Sequence, residues 1–171
     1  MTDHRVWHAS RDAYHCAFRM VRLLIANGAS IEIERMRVLD MFLLYPPLLH
    51  RSSMLNDIRK AFRRLDVPKP DQVFLRLPSA AAVFQDLRLY QNSAVAQLGA
   101  RGLISAEDLR DGLLTVMASE LPDDLVRRAV ERNAAGSDIA QFLVREYSKL
   151  PLRGSGGMYR KAGLPARGLV R

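Results

Sequence analysis

His4, His8, Asp12 and His15 recur at steps that would return to one side of a helix begun early. Three imidazoles and a carboxylate gathered there could hold zinc. Ser10, however, reads as the N-cap of the first helix with Asp12 in its first turn, which leaves His4 and His8 ahead of it. No metal centre is therefore expected. Cys16 adjoins His15, but neighbours on a helix diverge by about 100°, and the lone thiol reads as a small buried hydrophobe instead of a nucleophile. Glu107, Asp108 and Asp111 cluster near a helix start, where they suit capping and the helix dipole better than acid–base work. Gly154-Ser-Gly-Gly157 lacks the Lys-Ser/Thr that completes a phosphate loop, and no Gly-x-Gly-x-x-Gly or Gly-x-Ser-x-Gly pattern occurs. The sequence thus predicts no enzyme and no cofactor.

What remains is recognition. The chain of 171 residues carries a formal net charge of +8, and Arg far outnumbers Lys. The guanidinium fork suits phosphates and carboxylates, so the charge points to an acidic partner, either nucleic acid or an acidic protein surface. Within the folded part, Arg59, Lys60, Arg63 and Arg64 lie on one predicted helix face and form the best binding candidate. Arg88 and Gln91, on a longer predicted helix, could enter or flank a DNA groove. Tyr159, Arg160 and Lys161 belong to Met158-Tyr-Arg-Lys-Ala-Gly-Leu164, whose mixed apolar and basic character would let it dock as an extended segment. The plain alternatives are a solvated helix face and a disordered extension.

These residues need a scaffold, and 49% apolar content supplies one without a disulfide or a metal. The first helix runs from Ser10 to a stop at Gly28; Tyr14, Phe18, Val21 and Ile25 form its apolar stripe, and Arg11, Arg19 and Arg22 its other positions. Residues 31–35 read as a brief extended piece. Residues 35–44 are apolar on nearly every side and belong at the centre of a fold or at an interface, ending before Pro46 and Pro47. Ser53 can cap the next helix, whose apolar stripe is Leu55, Ile58, Ala61, Phe62 and Leu65. Residues 72–78 read as a linker or short strand. Ser79 caps a longer helix that stops between Gly99 and Gly102, residues 113–117 could form a strand, and Pro122 opens a further helix. Ile139, Phe142, Leu143, Tyr147 and Leu150 mark a last helix.

The predicted class is mostly α: a winged helix-turn-helix-like core with extra N- and C-terminal helices and a short β-wing. The expected divisions are an N-terminal helix (1–34), the core (35–118), helices packed on it (119–151) and a flexible, basic, Gly-rich tail (152–171). Removing that tail is expected to leave thermal stability nearly intact. A lone cysteine, the lack of a signal-like start and the lack of a long apolar run point to a soluble cytoplasmic protein.

Arg35-Met-Arg-Val-Leu-Asp-Met-Phe-Leu-Leu-Tyr-Pro-Pro-Leu-Leu49 has a further meaning. With residues 91–104, the Glu120-Leu-Pro122 turn and the closing Gly157 to Leu164, it resembles the middle components of bacterial three-component ABC-ATPase systems. These include the small subunit of Lamassu-type anti-phage defence complexes. The resemblance spans roughly residues 30–164. It implies a non-enzymatic accessory subunit with a winged-helix-like core. Its implied partners are SMC-like ABC ATPase subunits and, in some systems, a nuclease effector subunit; the basic charge balance would also let the subunit help hold double-stranded DNA through the complex, which the resemblance does not itself imply. The family carries no catalytic residues over to this chain. The alternative is a stand-alone winged-helix transcriptional regulator, which would bind a defined DNA site as a dimer.

Overall fold

Asp12, and not Ser10, starts the first helix. Its carboxylate accepts the backbone N–H groups of Tyr14 (2.8 Å) and His15 (3.2 Å), while Ser10 lies in a preceding 3-10 turn, Ala9–Arg11. The computed structural model describes residues 9–70, 77–135 and 138–165. His4, His8 and most of the expected linker at 72–78 lie outside them.

Helix α1 (Ala13–Asn27) ends at Gly28, whose φ of 69° is the left-handed geometry that favours glycine. It packs on α2 (Ile33–Leu44), α4 (Ala80–Ala100), α6 (Asp123–Ala135) and α7 (Ile139–Arg145). A helix with neighbours on so many sides has little polar face left. Arg19 and Arg22 are consequently buried, against expectation, and Tyr14, placed by its spacing in the apolar stripe, is 64% exposed.

Helix α2 is central, as its uniform greasiness predicted: Met36, Val38, Leu39, Met41 and Phe42 are fully enclosed. It stops at Tyr45, before Pro46, and a 3-10 turn, Pro46–Arg51, follows. The expected extended pieces pair with each other. Strand β1 (Ile31–Glu32) runs antiparallel to β2 (Leu113–Leu114), with Ile31 opposite Leu114, and a bridge between Ile104 and Val116 continues the pairing. Between Ile104 and β2 sits α5 (Ala106–Arg110), capped by Ser105, which accepts the Asp108 N–H.

Ser53 does not cap α3 (Asn56–Arg63); Leu55 holds that position without a side-chain bond and is 56% exposed. The Ser53 N–H instead donates to the Lys161 carbonyl (2.8 Å), which also accepts from Ser52 Oγ (3.1 Å). The last predicted helix is likewise shorter than expected: α7 ends at Arg145, and a 3-10 turn, Tyr147–Lys149, swings Tyr147 fully inside, its hydroxyl 2.8 Å from Ser52 Oγ. Burial pushes that phenol up to about 12.

The stretch after Pro151 is the largest departure. Residues 152–165 fold onto the body, and Met158–Lys161 forms a helical turn, α8, where an extended segment was expected. Met158, Tyr159, Ala162 and Leu164 are all buried; Met158 and Ala162 lie one helical turn apart, and Leu164 follows the left-handed Gly163. Gly157 is required here: a Cβ would lie 2.5 Å from the Arg153 carbonyl group. Arg153 Nη2 donates to both carboxylate oxygens of Glu34 (2.8 and 2.6 Å), and Arg35 Nη1 donates to the carbonyls of Ser148 and Leu150 (both 2.9 Å). The N-terminal turn of α2 thereby grips residues 148–153.

Candidate functional site

Helix α3 is short, and a helix of eight residues does not stand on propensity alone. Ile58 and Phe62, 2% and 6% exposed, seat it, each contributing about 1.5–3 kcal/mol by burial. The Phe62 ring meets those of His50 (4.9 Å between centroids) and Phe142 (5.7 Å). Asp57 in the first turn and Arg63 in the last complement the helix dipole.

The opposite side carries Arg59, Lys60, Arg63 and Arg64, all exposed as expected. Arg59 with Arg63, and Lys60 with Arg64, are like-charge pairs one turn apart, and each costs the helix about 0.2–0.5 kcal/mol. Burial of Ile58 and Phe62 outweighs that cost. Arg59 Nη2 donates to the Met54 carbonyl (3.3 Å). Among the described residues no ion pair engages any of the four.

The other candidates fare differently. Arg88 is half-buried on α4. Gln91, one helical turn on, is 1% exposed and points into the core, so its position in this fold gives a groove nothing to touch. Tyr159 is also inside: its hydroxyl donates to the Glu34 carbonyl (3.4 Å), its ring stands edge-on to Phe84 (5.6 Å), and burial raises its pKa. Arg160 remains exposed, while Lys161 is half-buried, its carbonyl tied to Ser52 and Ser53. The structure brings the α3 cations together and separates them from Gln91 and Tyr159.

The buried polar network was passed over in the sequence. Asp40 is fully enclosed; its Oδ1 accepts from Arg19 Nε (2.6 Å) and its Oδ2 from Arg19 Nη2 (3.3 Å), Gln91 Nε2 (2.9 Å) and Cys16 Sγ (3.5 Å). Burial pulls the Arg19 guanidinium down, but Asp40 more than restores it, for a net rise. Burial, then Asp40, drives the Cys16 thiol well above its ordinary range, which keeps it neutral and inert. Gln91 passes the network on, accepting from Arg37 Nε (3.1 Å), and Arg37 lies 5.0 Å from the centre of the Phe84 ring. A second buried arginine, Arg22, donates to Asn133 (2.9 Å) and is lowered to about 10 by burial and by Arg132 and Arg19. The missed signal was Asp40 itself: a lone acid inside an apolar helix must be paired.

Asp12 is committed to capping α1, and among the described residues no three His, Cys, Asp or Glu side chains gather as metal ligands. Among the same residues no helix is long and apolar enough to cross a membrane.

Comparison with known families places the chain among the accessory components of ABC-ATPase systems. Over residues 5–167 it matches the family described as ABC-three component (ABC-3C) system Middle Component 5 (MC5), and it belongs to that family. No curated protein and no solved structure matches it.

Proposed function

We propose that this middle component is a non-enzymatic subunit that docks on an SMC-like ABC ATPase and helps hold double-stranded DNA through α3, joining the ATPase to a nuclease effector in anti-phage or anti-plasmid defence. The observation that carries the DNA contact is the row formed by Arg59, Lys60, Arg63 and Arg64, exposed and without acidic partners among the described residues. Three like charges on an eight-residue helix and a fourth at its C-cap are a standing cost that phosphates would relieve, and phosphate contacts need no sequence readout. Arg160 adds a further exposed cation on the chain's closing turn.

On this reading residues 35–118 are a winged-helix-like core, with α2, α3 and α4 as its helices and β2 with the Ile104–Val116 bridge as a short wing, onto which β1 pairs from just ahead of the core. The remaining helices and the C-terminal segment brace it. ATP hydrolysis and DNA cleavage belong to the partner chains, and the assembly works in the cytoplasm.

Co-expression with the ABC ATPase encoded beside it tests the reading. The two chains are expected to co-elute at a fixed ratio, and the pair to bind duplex DNA with little sequence preference. Elution of this chain alone, as a dimer that selects one DNA site, would point instead to a stand-alone regulator.

A further inference from the structure

Among the described residues the enclosed charged side chains are Arg19, Asp40 and Arg22, and the first two form an ion pair. Arg22, 9% exposed, is held by an amide instead. Its Nε donates to Asn133 Oδ1 (2.9 Å), and Asn133 Nδ2 donates back to the Arg22 carbonyl (3.1 Å). This clasp between α1 and α6 fixes the guanidinium, but a neutral amide does not compensate its charge. Both Nη groups are left without an acceptor among the described residues, and both reach solvent. Asp40 is already engaged by Arg19, Gln91 and Cys16. Burial, then the positive charges of Arg132 and Arg19, lower the pKa of Arg22 to about 10. Arg132, next to Asn133 on α6, is exposed and joins no ion pair among the described residues, unlike Arg127 and Arg128.

We infer that Arg22, with Arg132 beside its clasp, is the seat for a carboxylate side chain, Asp or Glu, of a partner protein. A buried cation costs stability unless an anion offsets its desolvation, and within this fold Arg22 has only the amide. Its Nε is committed to Asn133, so the end of the guanidinium, Nη1 with Nη2, is the edge that stays open to a two-oxygen acceptor. The recess favours a single reaching side chain over a rigid duplex. The surface around it also gives a polyanion no net attraction, because α6 carries three acids and three arginines. Arg22 therefore differs from the α3 cations: they are exposed on a basic face, whereas it is enclosed beside a neutral helix. That the partner is the ATPase rests on the proposed function; the seat itself does not.

The test titrates the 15N-labelled full chain with acetate and with dimethyl phosphate, two anions of equal charge, while the arginine side-chain resonances are followed. Acetate should shift Arg22 and Arg132 saturably, with a Kd of roughly 10–100 mM, the strength of one charge-assisted contact, and leave Arg127 and Arg128 without saturation. Dimethyl phosphate should bind at least about threefold more weakly. Absence of a saturable shift at Arg22, or equal or tighter binding of the phosphodiester, overturns the inference. Arg22→Gln, which keeps a donor for Asn133, should abolish the acetate response and cut capture of the co-expressed ATPase by about tenfold or more. It should also hold the melting temperature within about 5 °C of the unaltered chain or raise it, because it removes an uncompensated buried charge. A larger fall would make Arg22 a structural clasp, and unchanged capture would remove it from the interface; either overturns the inference. Failure of the unaltered chain to capture the ATPase while acetate still binds would instead count against the proposed function, so the two readings fall separately.

Discussion

Helices α3 and α6 are both exposed and rich in arginine, yet they spend their charge in opposite ways. On α6, Arg127 pairs with Asp124 and Glu131, and Arg128 with Asp124, so the helix neutralises itself along its own surface. On α3 the cations stand one turn from other cations and form no ion pair among the described residues. A third setting lies in the core, where Arg19 is enclosed with Asp40. The contrast teaches that a net charge of +8 does not say which charges are available. Arg19 in the core holds the fold together, Arg127 and Arg128 on α6 balance their neighbours, and arginine on α3 is left for a partner.

The strongest way to break the comparison is in the core. Asp40→Ala should destabilise by about 3–5 kcal/mol in chemical denaturation, because it strands Arg19 as a buried charge. A loss no larger than that of a surface change would mean that the enclosed pair is not special. Next comes the closing segment: Met158→Ala should cost about 2–5 kcal/mol, since the side chain is fully buried. Near-neutral stability would return residues 152–165 to the status of a loose tail. The smallest effect is expected on α6, where Arg127→Ala should change stability by no more than about 1 kcal/mol and leave DNA binding unaltered. A marked loss of DNA binding there would erase the distinction between the two helices.

Periodicity made most helices legible. The uniform apolar character of residues 35–44 announced a buried helix, and Ser79 caps its helix as its position implied. The cationic side of α3 was readable because alternation of Ile58 and Phe62 with arginines leaves one orientation that buries them. The rest depended on tertiary packing. Arg19 and Arg22 look like solvent residues until α1 acquires neighbours around it. Gln91 looked available because nothing local shows that Asp40, distant in sequence, needs its amide. The Gly-rich composition after Pro151 masked Met158, Tyr159, Ala162 and Leu164, whose burial depends on distant partners: Tyr159 meets Glu34 and Phe84, and the Lys161 carbonyl accepts from Ser52 and Ser53.

Salt dependence of duplex binding by the co-purified ATPase assembly measures the α3 contact directly. Reversing Arg59, Lys60, Arg63 and Arg64 to Glu should lower affinity by at least about tenfold near 0.15 M salt and flatten the slope of log affinity against log salt by about three to four. The matched α6 variant, Arg127→Glu with Arg128→Glu, should leave the slope where it was. An unchanged slope in the α3 variant, or an equal change in both, contradicts the assignment of α3 as the DNA-holding face.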